Sequence, residues 1–378
     1  MKRTLIITLE FPPIVGGIAT YVDQVASSLS PERVVVLAPK HNNAKDFDKK
    51  KLYKVIRKNL YFPPFLWPRW IRLFFQVWRI VKKEHIEVIH VHHILPVGYI
   101  AWIIKKLLHI PYIIFSHGTD IAAAGAKKRK RFLALTVSLQ AESIIVNSKN
   151  LSLRLLTVLP HLSKKVRVVY PCPDKDFFTP PPKEEIERLR HVYALEGKKV
   201  ILSASRLDYG KGYSHLVRSM AEIVQDVPHV VWFIIGDGPK KKEVFASIIQ
   251  HNLQNNVRFV GEVPHNEVKK FYYLADLFVL LTHPYRGKEE GLGLVFLEAA
   301  ATGLPVIAGK SGGVEEAVID QKTGMVIDVY QQHDQIKKSI ISLLADPDAA
   351  QTLGAAGKRR MAEEFQWEKQ IARISDLL

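Results

Sequence analysis

The sequence predicts an α/β protein of two Rossmann-like domains whose parallel sheets face each other across a cleft. Three observations predict it. The chain has 378 residues, which fits two domains of roughly 150–200 residues each rather than one. Each half repeats one rhythm of short apolar run, turn and amphipathic helix, the pattern of parallel strands covered on both faces. A proline-rich stretch, YPCPDKDFFTPPPKEE, separates the halves, with five prolines between Pro171 and Pro182. Hydrophobic residues make up 47% of the chain and charged residues 24%, so both halves can bury a core.

In chain order, the strands of the first domain, 1–175, are expected at Thr4–Leu9, Arg33–Ala38, Val88–Val91, Tyr112–Phe115, Ser143–Val146 and Val166–Val169. Those of the second, 176–361, are expected at Val200–Ala204, Val230–Ile235, Val257–Val260, Leu277–Leu281, Pro305–Ala308 and Gly324–Ile327. The start, MKRTLIITLEFPP, has an apolar run of six residues that ends at Glu10, so it reads as a buried strand and not a signal peptide. The longest stretch free of Lys, Arg, Asp and Glu, Val88 to Ile104, carries three histidines, a proline and a glycine and makes a poor transmembrane helix. Cys172 is the one cysteine, so no intrachain disulfide forms, which suits a reducing cytoplasm.

Net charge is +17, which favours polyanionic partners: nucleic acid, anionic lipid or phosphorylated substrates. Eleven Lys/Arg and no acid lie between Lys49 and Lys83, interleaved with nine aromatic residues. A second basic run, KKRKR, spans Lys127 to Arg131.

Several glycine-rich junctions follow the expected strands. In KEEGLGLVFLEAAATG, the loop carrying Glu290 leads into an apolar helix that begins near Gly291–Gly293 and holds Glu298. Such a junction aims free backbone N–H groups at whatever sits there, and the helix dipole favours an anion. On spacing alone, Glu298 reads equally well as a cap on a buried amide, and Glu289 and Glu290 as solvated. SASRLDYGKG places Arg206 and Lys211 five apart across a glycine turn, a pair able to clamp a diphosphate. They are otherwise two surface cations in a chain rich in them. IIGDGPKKKE ends a strand with Gly236-Asp237-Gly238 before a helix, and it is not a dinucleotide-binding fingerprint. EFPPIVGGIATYV sets Gly16-Gly17 between the first strand and first helix, and FSHGTD sets His117 at the carboxyl end of a parallel strand, where ligands bind in such sheets. A lone histidine is more often structural.

Taken in this order, the GG turn, HGTD, SRLDYGKG, GDGP, VRFVGEVP and EEGLGLVFLEAAATGLPVIAG resemble a family-4, GT-B retaining glycosyltransferase over nearly the whole chain. The segment EEGLGLVFLEAAATGLPVIAGKSGGVEEAV is most similar to the phosphatidylinositol mannosyltransferases and their relatives. The tail FQWEKQIARISDLL resembles the family's last helix, about 362–378, which crosses back onto the first domain. The resemblance implies that Glu298 binds the ribose hydroxyls of a sugar nucleotide and that Glu290 hydrogen-bonds the donor sugar. It implies that the amides around Gly291, Leu292, Gly293 and Leu294 hold the distal phosphate, and that Arg206 and Lys211 neutralise the diphosphate. Val260 and the backbone beside it would edge the base, Gly236 belongs with the donor-binding residues, Gly16 and Gly17 lie close to the diphosphate, and His117 to the donor sugar. The chain departs from the family at Pro171-Cys172-Pro173-Asp174, where the family often has Pro-Gly-Val-Asp, which bears on the hinge and not on the chemistry.

The chemistry implied is cleavage of a glycosyl–phosphate bond through an oxocarbenium-like state, with cations and amides stabilising the charge on the diphosphate. No metal and no cofactor are expected: Asp46/Asp48, Asp174/Asp176 and Asp346/Asp348 match the metal-binding Asp-x-Asp by letter only, away from the donor motifs. Same-face attack is the favoured route to retention, with double displacement as the alternative. On the acceptor side, Arg72, Gln76, Arg79 and Lys83 recur at helical steps, with Lys82 beside them and Trp70, Phe74 and Trp78 filling the rest. Preceded by FPPFLWP with Trp67, and by Arg69, this reads as a basic amphipathic helix for an anionic membrane interface, although its apolar side must also pack on the domain. The expected partners are a nucleotide-sugar donor, GDP-mannose favoured, and a lipid-linked or phosphorylated acceptor at the cytoplasmic face of the membrane. Nucleic acid is not expected, because no recognition fold is present. The alternatives are a UDP-sugar-dependent transferase of capsule, lipopolysaccharide or soluble glycoside synthesis, and a non-catalytic sugar-nucleotide-binding protein. A nicotinamide oxidoreductase is disfavoured by the missing fingerprint.

Overall fold

The computed structural model describes residues 1–14, 16–63, 65–121 and 127–378. The chain divides into two compact units, Met1–Pro171 together with Trp367–Leu378, and Cys172–Gln366.

Among the described residues, the first unit is built on a seven-stranded sheet and the second on a six-stranded one. The first contains β1 (Thr4–Ile7), β2 (Val34–Pro39), β3 (Lys54–Lys58), β4 (Val88–Val91), β5 (Tyr112–Ser116), β6 (Ile144–Val146) and β7 (Val166–Val168), in spatial order β3-β2-β1-β4-β5-β6-β7. The second contains β8 (Lys199–Ala204), β9 (Val230–Ile235), β10 (Val257–Gly261), β11 (Leu277–Leu280), β12 (Val306–Gly309) and β13 (Met325–Ile327), in order β10-β9-β8-β11-β12-β13. Every pairing within these sheets is parallel. The central strands are fully buried, as sheets covered on both faces require.

β3 is absent from the sequence-based assignment. Its sequence KVIRK holds two apolar residues between cations, and it pairs on one side only, with β2. An edge strand needs no second buried face and tolerates charge that also guards it against stray pairing.

In both sheets the strand order reverses once, between β1 and β4 in the first unit and between β8 and β11 in the second. Loops leaving the carboxyl ends of strands on either side of such a reversal diverge to opposite faces and leave a crevice, where open parallel sheets bind ligands. The last segment completes the first unit. Trp367, Ile371, Leu377 and Leu378 pack on its buried cluster of Tyr21, Val25, Phe115 and Ile374. Arg167 holds Asp376 through two hydrogen bonds of 2.5 and 2.8 Å.

Candidate active site

In the 172–366 unit, the loops after β8 and β11 meet at the strand reversal. Gly210 and Gly212 both take the left-handed conformation, with φ of 76°. A Cβ on Gly212 would lie 1.9 Å from the Leu281 carbonyl oxygen, so only glycine lets the loops approach this closely. The His283 N–H donates to Gly210 O at 2.9 Å, completing the contact. Lys211, held between these glycines, reaches across to Glu290: Nζ and Oε2 are 2.5 Å apart, with side chains 26% and 20% exposed. The pair is sheltered yet open to a ligand.

The turn after β12 fixes the Glu290 backbone. Glu290 N–H donates to Ser311 Oγ at 3.2 Å, and Gly313 N–H donates to Glu290 O at 3.0 Å. A Cβ on Gly312 would stand 2.1 Å from that same oxygen. Gly293 (φ 89°) then caps the helix Leu294–Thr302 without a side-chain partner. Among the described residues, no acceptor takes the amides of Gly291, Leu292, Gly293, Leu294 or Val295, so the positive end of the helix is open to an anion.

Glu298 is buried one turn further on. Its Oε2 accepts from Tyr272 Oη at 2.9 Å, and Oε1 lies 4.0 Å from His265 Nδ1. Burial pushes its carboxyl above the usual range, His265 and the Tyr272 hydroxyl oppose this, and the charge of Asp174 adds to it. The Asp174/Asp176 pair therefore lies near a donor-side residue and not away from the donor motifs as its sequence position suggested. One protein hydrogen bond leaves a carboxylate with acceptor capacity to spare.

Arg206 is the loosest of the group, 69% exposed and 2.9 Å from Asp208. Gly236 (φ 122°) brings the loop after β9 against the loop after β8, where a Cβ would sit 2.1 Å from Ser205 O. Gly236 N–H donates to Gly261 O at 2.8 Å, which places Val260, in the bulge of β10, beside the same crevice. The structure thus brings Arg206, Lys211, Gly236, Val260, Glu290, Gly291, Leu292, Gly293, Leu294 and Glu298 to the carboxyl ends of one sheet.

Three features here lie outside the sequence-based candidates. Tyr209 and Tyr285 stack with parallel rings whose centres are 4.4 Å apart, and they join the β8 and β11 loops. Lys240 Nζ sits 3.6 Å from the Tyr209 ring centre, within cation–π range. Ser311 and the two glycines after it hold Glu290, and the Ser-Gly-Gly turn two residues past the end of β12 was the available signal.

In the first unit, Gly16, Gly17 and His117 also sit at the carboxyl ends of their sheet. Gly16 is extended (φ 164°), and a Cβ on either glycine would meet nothing within 4 Å. Neither packing nor φ demands glycine there; its absence of side chain leaves open space over the backbone. Arg57 of β3 steadies this loop: it donates to Pro12 O, pairs with Asp48 at 2.8 and 3.0 Å, and lies over the Phe11 ring at 5.1 Å. His117 follows β5 and is buried; Asp120 orders its loop by accepting from Ser116 Oγ at 2.8 Å, Gly118 N at 3.1 Å and Ile94 N at 3.0 Å. Burial lowers the His117 pKa to about 4, the charge of His93 adds to this, and Asp120 opposes it. His117 is therefore neutral at ordinary pH.

Each of the three Asp-x-Asp look-alikes contains an acid with a structural partner: Asp48 holds Arg57, Asp174 accepts from Asp176 N, and Asp346 caps the helix Pro347–Glu364 through Ala349 N.

The basic aromatic segment forms the helix Ile71–Lys83. Leu73, Val77, Ile80 and Val81 face the core. Trp70, Phe74 and Trp78 are partly buried against it, and Trp70 meets Tyr99 edge to face at 5.1 Å. Domain packing thus takes a full stripe of this helix. Outside that stripe, Phe65 (81%), Trp67 (87%) and Phe75 (54%) are exposed, along with Arg69, Arg79, Lys82 and Lys83, while Arg72 is half-buried over Phe62. Among the described residues, no helix is long and apolar enough to cross a membrane.

Two doubly wound parallel sheets, each with glycine loops and polar side chains gathered at its strand reversal, form the GT-B architecture. The family comparison agrees: residues 15–177 match Glycosyltransferase Family 4, and residues 185–360 match Glycosyl transferases group 1. The chain belongs to this glycosyltransferase family. It is 28% identical to a GDP-mannose-dependent α-(1-6)-phosphatidylinositol monomannoside mannosyltransferase of Mycolicibacterium smegmatis, over 99% of this chain and 97% of that protein. A monoacylated-substrate counterpart from Corynebacterium glutamicum is 27% identical over 100% and 98%. Among solved structures, Anabaena HepE in complex with UDP and glucose superposes with a TM-score of 0.84 at 19% identity, covering 100% of this chain and 99% of that one.

Proposed function

We propose that the protein transfers a hexose, mannose favoured, with retention from a nucleoside-diphosphate sugar to a lipid-linked or phosphorylated acceptor. The observation that carries this reading is the Lys211–Glu290 pair beside the uncapped helix start at Gly293. An arriving donor supplies a partner for each half of the pair: the diphosphate takes Lys211, Arg206 and the amides of 291–294, and the sugar hydroxyls take Glu290. Glu298, with an acceptor oxygen to spare, suits ribose hydroxyls. The bond between the anomeric carbon and the phosphate oxygen breaks, and the acceptor hydroxyl oxygen bonds to the same face of that carbon. Its proton passes to the departing phosphate, and the nucleoside diphosphate leaves. Negative charge grows on the diphosphate as the bond breaks, and fixed cations and amides stabilise that charge without reorganising. We assign this charge neutralisation to protein groups and not to a metal ion.

GDP-mannose is favoured because the relatives matched along their whole length are named for it. The second reading is a UDP-sugar donor, the nucleotide named for the Anabaena structures. The acceptor is read as lipid-borne from those relatives and from the exposed cations and aromatics of 65–83, which suit an anionic inner membrane face. Titrating GDP, UDP, GDP-mannose and UDP-glucose by thermal shift, with donor hydrolysis as the second readout, tests the donor. Stabilisation by UDP and not by GDP would overturn the GDP assignment, and no response to any would overturn the donor site.

A further inference from the structure

His92 and His117 meet edge to edge. His92 Nδ1 lies 3.2 Å from His117 Nε2, their planes differ by 12°, and the ring centres are 5.4 Å apart. The centres are farther apart than the nitrogens by about two ring radii, so the rings share a plane and do not stack face to face. A ring N–H donates in its own plane, so this is hydrogen-bond geometry. Phe115 lies flat on the His92 ring at 4.6 Å, and Tyr21 and His117 meet edge to face at 5.4 Å, so neither imidazole can turn freely.

Both rings are neutral. Burial drives the His92 pKa well below its ordinary value, with the charges of His117, His90 and His93 adding to the effect, and it brings His117 to about 4. A hydrogen bond between two neutral imidazoles needs one protonated and one bare nitrogen. His92 Nε2 is enclosed and has no partner among the described residues. If His117 were the donor, His92 would carry its proton on that enclosed nitrogen as an unsatisfied N–H. With His92 as the donor, only an unpaired lone pair remains there, which is the cheaper defect.

We propose that His92 is a positioning residue: its Nδ1–H donates to His117 Nε2 and so fixes the proton of His117 on Nδ1. His117 then offers a hydrogen-bond donor from the one ring nitrogen that has no partner among the described residues. It presents that donor to a sugar or phosphate oxygen and does not act as a base. The catalytic consequence rests on the reading of His117 as the group that faces the donor sugar; the tautomer does not.

The test combines spectroscopy and kinetics. Two-bond 1H–15N correlations on protein labelled with 15N-histidine, with His117→Asn giving the assignment, report which nitrogen of each ring is protonated. Wild type is expected to show His117 protonated on Nδ1 and His92 on Nδ1; His117 protonated on Nε2 overturns the proposal. His92→Leu removes the donor and is expected to mix the His117 tautomers and lower kcat by about tenfold or more. That is well short of the roughly 10⁴-fold loss seen when a wrong tautomer disables a general base. His92→Asn keeps an N–H near the Nδ1 position and is expected to recover much of that kcat. Equal kcat for His92→Leu and wild type overturns the positioning role. His117→Ala with undiminished transfer overturns the placement of His117 at the donor sugar while leaving the tautomer result standing. Because the wild-type spectrum decides the tautomer, a misfolded His92→Leu does not remove the test.

Discussion

Lys211 and Glu290 are 79 positions apart in the chain, yet their charged atoms are 2.5 Å apart. The contact depends on glycines on both sides: Gly210 and Gly212 around the lysine, and Gly312 against the Glu290 carbonyl. The pair keeps a cation and an anion in place, each ready to exchange its partner for part of one ligand.

Lys211→Ala should lower turnover by at least ~100-fold, the scale of losing one charge-stabilising donor. Glu290 is then left without its cation, so Lys211→Ala/Glu290→Gln should lose less than the two single losses combined. Steady-state kinetics on the three variants checks both statements. Near wild-type turnover in Lys211→Ala would remove the pair from the mechanism.

Gly212→Ala should damage the site without touching a charge. The new Cβ would meet Leu281 O at 1.9 Å in a left-handed conformation, at a cost of about 1–3 kcal/mol or more. Thermal unfolding should shift down and donor affinity should fall, because the loops after β8 and β11 must separate. Unchanged melting and affinity would contradict the close approach.

Chelators should leave initial rates largely unchanged if Arg206, Lys211 and the helix amides meet the diphosphate charge. An initial-rate assay with excess chelator is sufficient. Loss of activity restored by magnesium or manganese would reassign that charge to a metal.

Acid should destabilise the first unit. Burial lowers the pKa of His90 to about 3 and of His117 to about 4, and takes His92 well below its ordinary value. The unfolded chain binds these protons near pH 6.5 and the folded chain does not, so stability present above about 6.5 is lost as pH falls, down to about 4 for His117 and about 3 for His90. Each histidine contributes a slope of about 1.4 kcal/mol per pH unit at full uptake. His90 has both ring nitrogens enclosed and unpartnered among the described residues, so His90→Leu should flatten the slope and cost little at pH 7. Urea unfolding at several pH values reads this directly, and a slope that stays unchanged would show that His90 is not among the groups responsible.

Membrane binding should need acidic lipid and weaken with salt. The exposed cations of 49–83 contribute up to about 1 kcal/mol for each one that nears an anionic surface. Replacing Arg69, Arg72, Arg79, Lys82 and Lys83 with Gln should release the protein from anionic vesicles and leave donor affinity as it was. If this variant floats with the vesicles as wild type does, the helix serves domain packing alone.

The strand-and-helix rhythm was legible because buried parallel strands such as VVWFII in β9 are continuous apolar runs between glycines and helices. β3 was not, because an edge strand with two apolar residues lacks that signature. The glycine junctions were legible as candidate anion sites, but not the pairing of Lys211 with Glu290, since nothing local links positions 79 apart. His92 was hidden differently: it lies in an uncharged run, and its role depends on a ring 25 positions away. The helix at 71–83 was evident from its periodicity, while the share of its apolar side taken up by the core became visible only in three dimensions.

The return of Trp367–Leu378 to the first unit has a consequence for synthesis. The buried cluster of Tyr21, Val25 and Phe115 is completed by Ile374, with Trp367 and Leu377 packed against it, and the Arg167 side chain meets Asp376. These residues leave the ribosome after the whole of the second unit. The unit translated first therefore completes this one apolar cluster only after the second unit has been made. Until then Tyr21, Val25 and Phe115 lack part of their apolar cover, so the nascent first unit is less stable than the finished one.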